Sequence, residues 1–288
     1  MAAASSKNRC VPPEIDHELT LLDEGIEDVP LELDADLIGL TVITGSAKRA
    51  YELSARFRAR GTTVVLGGPH VTLVPDDAFQ HADAIVVGYA EESWPRLLRD
   101  FQRGALRRRY DQDPNLSLAG LPPVRRDLMP RGLYRTTHVF EATRSCVHGC
   151  EFCVAPFAWG RKPLQKPVEE VVEEIHRTGA RTAIFVDLNL IADRDYAAHL
   201  FEALTPLRIQ WSGLATTLLA NDPPLLEACA RSGCRGLLIG FESISSGSLR
   251  EMRKGFNAPE QYREIIGTLH AHGIAIMGTF VFGLDQDT

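Results

Sequence analysis

Short, continuous apolar runs alternate with amphipathic segments along most of the chain. In the first half, the predicted strands are Glu18–Leu22, Leu37–Ile43, Val64–Leu66 and Ala84–Val87. The predicted helices between and after them are Ala47–Arg60 and Glu92–Phe101. Continuous apolar runs are typical of strands that are buried on both faces. This alternation predicts an α/β fold, in which helices cover parallel sheets.

The second half repeats the alternation. Its predicted strands are Val139–Thr143, Ala183–Val186, Arg208–Trp211, Gly236–Gly240 and Ile274–Phe282. Four helices are expected to open at residues that favour a helix start, which are Pro167, Asp193, Asp222 and Pro259. Five strands with four intervening helices predict a barrel or half-barrel.

The length of 288 residues agrees with two domains. We predict a first domain at residues 1–105 and a second at 136–288. The segment 106–135 between them contains Arg107, Arg108 and Arg109, several prolines and no apolar periodicity. Such a composition predicts a linker with a solvated basic run.

Composition and charge exclude several classes of function. The formal net charge of −7 gives no electrostatic basis for nucleic-acid binding. No apolar run approaches the roughly 18 residues that span a bilayer, and the N-terminal ten residues lack the apolar core of a signal peptide. A cytoplasmic protein is therefore expected.

Three of the six cysteines, Cys146, Cys150 and Cys153, follow the first predicted strand of the second half. Clustered cysteines in a chain without an export signal favour metal ligation over disulfides. An iron–sulfur cube takes one thiolate per iron, so three cysteines leave one iron open. Zinc is the competing interpretation, and it would need a fourth ligand, such as His148 or one of the distant cysteines Cys229 and Cys234.

The spacing Cys-x3-Cys-x2-Cys, with Phe152 before the last cysteine, resembles the signature of the radical S-adenosylmethionine (radical SAM) enzymes. The resemblance implies that the three cysteines hold a 4Fe–4S cluster. It implies that the amine and carboxylate of S-adenosylmethionine chelate the fourth iron, with Phe152 close to this cofactor. One electron would then cleave the sulfonium and give a 5′-deoxyadenosyl radical. The implied domain is a partial (β/α)6 barrel, and the last strand is expected to be missing from this chain.

The same resemblance implies further contacts to S-adenosylmethionine. Asp187 and Asn189 follow the second strand, where the family has Gly-Gly-Glu, and either could accept a hydrogen bond from the methionine ammonium. Alternatively, Asp187 merely ends the strand. Glu242 follows the fourth strand and could bind the ribose hydroxyls. The fifth strand contributes Gly278, and Phe280 there could pack on adenine or in the core.

The first half resembles the cobalamin-binding domain that often precedes this core, which is Rossmann-like and flavodoxin-like. The matching stretches are 34–41, 64–70 and 82–88. The resemblance implies that loops after three strands face cobalamin, through Thr44, Gly45, Ser46, Gly67, Gly68, His70 and Gly88. The Asp-x-His-x-x-Gly motif that ligates cobalt in some relatives is absent. His70 could substitute as the lower ligand, although a structural role is favoured.

The two resemblances together imply cobalamin-dependent methylation of an unactivated carbon in a small-molecule substrate. The expected electron donor is a protein such as flavodoxin or ferredoxin. Two alternatives stay open, which are a radical oxidative cyclisation or rearrangement, and an inactive metal- or cobalamin-binding remnant. The second stays open because the chain is expected to be truncated at both ends. The sequence identifies neither the substrate nor the catalytic residues.

Overall fold

The computed structural model describes residues 12, 14–113, 115–130 and 132–286. The N-terminal ten residues, in which no signal peptide is expected, lie outside the described residues. The chain divides into two compact units, of which the first contains the described residues of Met1–Leu116 and Leu121–Arg135. The second contains those of Ser117–Gly120 and Thr136–Thr288.

The first unit is built around a four-stranded parallel sheet in the order β1-β2-β3-β4. Its strands are β1 (Leu37–Thr41), β2 (Thr63–Gly67), β3 (Ala84–Val87) and β4 (Arg109–Asp111). Its helices are α1 (Ala47–Ala59), α2 (Pro69–Leu73), α3 (Pro75–Ala78) and α4 (Ser93–Gln102).

Both faces of this sheet are buried, as the continuous apolar runs predict. On β2, Val64 and Leu66 pack into a core with Phe57 of α1, whereas Val65 packs on the opposite face with Leu97 of α4. Successive side chains of a strand point to opposite faces, so a strand covered on both sides needs apolar residues throughout.

Two sequence predictions for this unit were wrong. The segment Glu18–Leu22 is not a strand, and its Leu19 and Leu21 remain 48% exposed because it joins no ladder that would bury them. The segment predicted as a linker contains β4, whose Tyr110 is buried and donates its hydroxyl to Asp100 at 3.0 Å. Three residues are too few to show a periodicity, so the sequence did not reveal this strand.

The second unit has a five-stranded parallel sheet in the order β11-β10-β9-β8-β5, and β6 pairs with β7 as an antiparallel ribbon. Its strands are β5 (Val139–Phe140), β6 (Thr143–Arg144), β7 (Leu164–Gln165), β8 (Thr182–Phe185), β9 (Gln210–Ala215), β10 (Cys234–Glu242) and β11 (Ala275–Phe280). Its helices are α5 (Ala155–Trp159), α6 (Val168–Thr178), α7 (Arg194–Leu204), α8 (Pro223–Arg231), α9 (Ser246–Glu251) and α10 (Tyr262–Ala271).

The predicted helix starts are confirmed, and two of them are capped as the sequence indicates. The Asp193 carboxylate accepts from the Tyr196 amide at 3.0 Å, and the Asp222 carboxylate accepts from the Leu225 amide at 3.1 Å. One large core forms where the helices pack on the sheet, and Trp211 lies in it stacked on Phe201 at 5.5 Å.

The other face of this sheet is more open. On β8 and just after it, Ile184 and Val186 are 40% and 50% exposed, while Phe185 between them is fully buried. This alternation leaves apolar surface accessible on β8, next to the edge strand β5. No described helix is long and apolar enough to cross a membrane.

Candidate functional site

The three clustered cysteines lie on the loop between β6 and α5, which we call the cysteine loop (residues 145–154). All three are free thiols of intermediate exposure. The Cys153 amide donates to the Cys150 carbonyl at 3.1 Å, so the loop curls between these two ligand candidates. The thiols are neither locked in a core nor fully solvated, which suits ligands of a centre that must meet a further molecule.

Two main-chain features shape the cysteine loop, one at its start and one in its middle. Ser145 has a φ of 77°, and its hydroxyl donates to the Gly160 carbonyl. A non-glycine residue in the left-handed region costs energy and marks a conformation that its surroundings impose. At Gly149 a Cβ would overlap the Arg161 guanidinium. The Arg161 guanidinium would have to move aside for any larger residue at this position.

The electrostatic surroundings of the thiols are mixed. Burial raises the pKa of Cys150, Lys254 lowers it, and the thiols of Cys153 and Cys146 raise it further. Burial and Lys254 both lower the pKa of His148. A set of three thiolates would therefore repel one another unless cations neutralise them.

Among the described residues, no three His, Cys, Asp or Glu side chains converge as ligands of one ion. A 4Fe–4S cube needs only three protein thiolates, each on a different iron, whereas a structural zinc site needs a fourth ligand. Cys229 and Cys234 cannot supply a fourth ligand, because both are completely buried in the core. Cys234 begins the nine-residue strand β10, whereas the cysteine loop contacts Met252 beyond the other end of this strand. Such a strand spans on the order of 25 Å.

The Asp187 carboxylate contacts the main chain just before the cysteine loop. Asp187 is 1% exposed, and its carboxylate accepts from the amides of Ala142, at 3.1 Å, and Thr143. These bonds replace the ladder partner where the predicted strand Val139–Thr143 breaks into β5 and β6. Burial raises the pKa of Asp187 to about 6, although the hydrogen bonds from Thr143 and Ala142 act in the opposite direction.

Two buried polar atoms without a partner lie at the carboxyl end of the sheet. Asn189 follows β8 and is 2% exposed, and Thr216 follows β9 and is 9% exposed. Neither the Asn189 Oδ1 atom nor the Thr216 Oγ1 atom has a hydrogen-bond partner. Because unpaired buried polar groups are costly, such atoms indicate a polar ligand. They fit a cofactor with an ammonium and hydroxyl groups, such as S-adenosylmethionine.

Glu242 ends β10 in a strained conformation with a φ of 67°. Its carboxylate accepts from the Lys254 ammonium at 2.6 Å, and both side chains are 8% exposed. Sequence reasoning missed Lys254, because a lysine in a turn is normally solvated and nothing in the pattern signals its burial. It also missed Asn257, which donates to the Gly240 carbonyl at 2.9 Å.

The remaining predicted contacts to S-adenosylmethionine are more exposed. Phe152 is 44% exposed on the cysteine loop. Gly278 lies on the edge strand β11 beside the Phe241 ring, and Phe280, also 44% exposed, stacks on that ring at 5.9 Å. These positions remain predictions as cofactor contacts.

In the first unit, the predicted cobalamin-facing residues share one edge of the sheet. Neighbouring parallel strands end at the same edge, and the loops follow β1, β2 and β3. Thr44, Gly45 and Ser46 form a single helical turn. Gly67 accepts from the Val42 amide at 2.8 Å, and the Gly88 amide donates to the Thr72 hydroxyl at 2.9 Å.

Gly68 occupies a position that only glycine fits without strain. Its φ is 99°, and a Cβ there would lie 2.9 Å from both the amide nitrogen and the carbonyl oxygen of Val42. The loops after β1 and β2 therefore touch main chain to main chain.

Both ring nitrogens of His70 have partners within the first unit. Nε2 lies 3.0 Å from the Tyr51 hydroxyl and Nδ1 lies 3.2 Å from the Thr44 hydroxyl. The Tyr51 hydroxyl also donates to Asp77 at 2.8 Å. Burial and Asp77 raise the pKa of Tyr51 to about 12, so it stays a donor. The network joins the loops after β1 and β2 and supports the structural role of His70.

The fold and site define a two-domain α/β protein with a three-cysteine loop at the carboxyl end of a parallel sheet. Residues 140–288, more than half of the chain, match the family model of the Radical SAM superfamily. The chain therefore belongs to the radical SAM superfamily. Residues 12–98 match the model of the B12 binding domain. The resemblance that the sequence indicated is confirmed, and with it the two kinds of cofactor-binding domain.

Individual relatives agree with this assignment. The chain is 30% identical over 289 residues to bacteriochlorophyllide d C-12(1)-methyltransferase of Chlorobaculum tepidum, with 94% of this chain and 62% of that protein covered. It is 31% identical over 296 residues to bacteriochlorophyllide d C-8(2)-methyltransferase of the same organism, with 96% and 65% covered. The chain thus spans less than two thirds of the length of these curated relatives.

A solved structure supports the fold. The radical S-adenosylmethionine methyltransferase TsrM from Kitasatospora setae, with cobalamin and a [4Fe-4S] cluster bound, has a TM-score of 0.70 to this chain. The two are 17% identical, and the match covers 88% of this chain and 59% of that one. At this level of identity the likeness shows the fold.

Proposed function

We propose that this chain forms part of a cobalamin-dependent radical SAM enzyme that methylates an unactivated carbon of a small molecule. The cysteine loop, with three free, partly exposed thiols at the carboxyl end of a parallel sheet, carries this proposal. The names of the two Chlorobaculum relatives support methyl transfer as the reaction.

The residues divide into three binding groups under this proposal. Cys146, Cys150 and Cys153 hold a 4Fe–4S cluster. Asn189, Thr216 and Glu242, with Asp187, Phe152 and Gly278 nearby, form the S-adenosylmethionine side. Cobalamin binds at the edge of the first sheet through Thr44, Gly45, Ser46, Gly67, Gly68, His70 and Gly88. When bound, the cofactors supply one-electron reduction and a transferable methyl group.

The protein's own contribution is to bind and orient. The strained Ser145 and the carboxylate of Asp187 fix the start of the cysteine loop. The unpartnered Asn189 oxygen would accept a hydrogen bond from the ammonium of S-adenosylmethionine and so orient that cofactor. We include an electron donor such as flavodoxin or ferredoxin in the proposal, and a cytoplasmic location, which suits free thiols.

Anaerobic reconstitution tests the proposal. The chain should take up about four irons and give a 4Fe–4S electron paramagnetic resonance signal after reduction. It should bind cobalamin, seen in the visible spectrum, and convert S-adenosylmethionine to 5′-deoxyadenosine under reductant. Stoichiometric zinc without iron would contradict it. Cobalamin uptake that survives Cys150→Ala, while iron uptake is lost, would separate the two domains.

Oxidative cyclisation is the second candidate. The chain is 26% identical over 155 residues to an anaerobic magnesium-protoporphyrin IX monomethyl ester cyclase of Synechocystis, which covers 51% of this chain. The two reactions differ in what the product gains. With labelled methyl donor, a methyltransferase incorporates the label, and a cyclase does not.

A further inference from the structure

The turn that follows α9 contacts both halves of the candidate site. This 252–257 turn is itself well ordered by main-chain bonds. The Lys254 amide donates to the Leu249 carbonyl at 2.8 Å, and the Asn257 amide donates to the Lys254 carbonyl at 3.0 Å. Arg253 adopts a φ of 56°, so the chain reverses sharply within the turn.

On one side, the 252–257 turn holds the cysteine loop. The Glu151 amide, next to Cys150, donates to the Met252 carbonyl at 3.0 Å. The rings of His148 and Phe256 stack at 4.5 Å. The Glu151 carboxylate also pairs with Arg253 at 3.0 Å, but both side chains are more than half exposed. Such an exposed pair contributes little.

On the other side, the 252–257 turn is fixed to the end of β10. The Lys254 ammonium and the Glu242 carboxylate form their 2.6 Å ion pair out of solvent. Asn257 donates to the carbonyls of Gly240, at 2.9 Å, and Phe241, at 3.0 Å. The Asn257 side chain also accepts a hydrogen bond from the Thr217 hydroxyl at 2.6 Å.

We propose that Lys254 is a positioning residue, which fixes the 252–257 turn to β10 through Glu242 and thereby holds the cysteine loop in register with the end of that strand. A buried ammonium cannot exchange its partner for solvent, so the ion pair with Glu242 adds to the Asn257 hydrogen bonds in fixing the position of the turn. The inference rests on the proposed function, because fixed thiols matter only to a loop that receives a cluster.

Hydrogen exchange of the cofactor-free chain measures this directly, since it reports local opening. In Lys254→Met the Glu151 amide should exchange at least tenfold faster, while amides of β9 keep their rates. Lys254→Arg should restore slow exchange. The matched control is Lys166→Met with Glu174→Gln, which removes a similar, mostly buried pair of the same unit, 3.3 Å apart. This control should leave the Glu151 amide unchanged.

In Lys254→Met the buried Glu242 carboxylate loses its ion-pair partner, and this unpaired charge could unfold the variant. The double variant Lys254→Met with Glu242→Gln leaves no unpaired charge and should still show fast exchange at Glu151. In reconstituted protein, both variants should lose iron to a chelator about tenfold faster than wild type. Wild-type exchange at Glu151 in the folded double variant overturns the inference. If the wild-type chain takes up no iron, the proposed function fails, and the exchange result still decides the role of Lys254.

Discussion

Asp187 provides a test of how the start of the cysteine loop is built. Its carboxylate is 1% exposed and holds the amides of Ala142 and Thr143. Burial raises its pKa from 3.8 to about 6. The folded chain therefore binds this proton more tightly than the unfolded chain does. Its contribution to stability is full below about pH 4 and is lost as the pH rises through 6.

The size of the effect follows from the shift. Each pKa unit is worth 1.36 kcal/mol. Between pH 4 and pH 7.5, the Asp187 contribution to the free energy of unfolding should fall by about 2.5 kcal/mol. Asp187→Asn keeps an oxygen that can accept both amide bonds but cannot titrate. The variant should therefore lack this component of the pH dependence.

Urea unfolding of cofactor-free wild type and Asp187→Asn, each at pH 4 and pH 7.5, gives the four free energies of unfolding that the comparison needs. Between pH 4 and pH 7.5, the free energy of unfolding should fall by about 2.5 kcal/mol more in wild type than in Asp187→Asn. Other titrating groups cancel in this comparison. Equal pH dependence in the two proteins would refute the burial argument. A difference of opposite sign would mean that the amide bonds outweigh desolvation.

Three further changes have defined outcomes. Gly68→Ala should lower the thermal midpoint by several degrees, because its Cβ would press on the Val42 main chain, and calorimetry measures this. Cys150→Ala should abolish iron uptake in reconstituted protein, whereas the buried Cys229→Ala should retain it, as iron analysis will show. Asp222→Ala should cost about 1–2 kcal/mol in urea unfolding, since it removes the cap of α8.

For each of these three variants, one result would contradict the prediction. An unchanged midpoint in the Gly68 variant would mean that the loops after β1 and β2 can separate without cost. Iron uptake that depends on Cys229 and not on Cys150 would mean that the metal site lies in the core and not at the cysteine loop. A loss below about 0.3 kcal/mol at Asp222 would show that the exposed end of α8 needs no cap.

The strand and helix pattern followed from local chemistry. Buried parallel strands must be apolar on both faces, and Asp193 and Asp222 mark helix starts because their carboxylates accept the free amides. The sequence failed where a partner from elsewhere in the chain replaced the local rule. The strand predicted at Val139–Thr143 is broken by Asp187, and the strand β4 is visible only through its pairing with β3.

By itself, the sequence determined the α/β class, the family and the cysteine motif, because residue type and spacing within a short segment express all three. Only the tertiary structure decided what surrounds the thiols. The burial of Lys254 against Glu242 and the unpaired oxygen of Asn189 depend on loops that follow different strands. Parallel strands bring those loops to one edge of the sheet, and no spacing along the chain records which side chains then meet there.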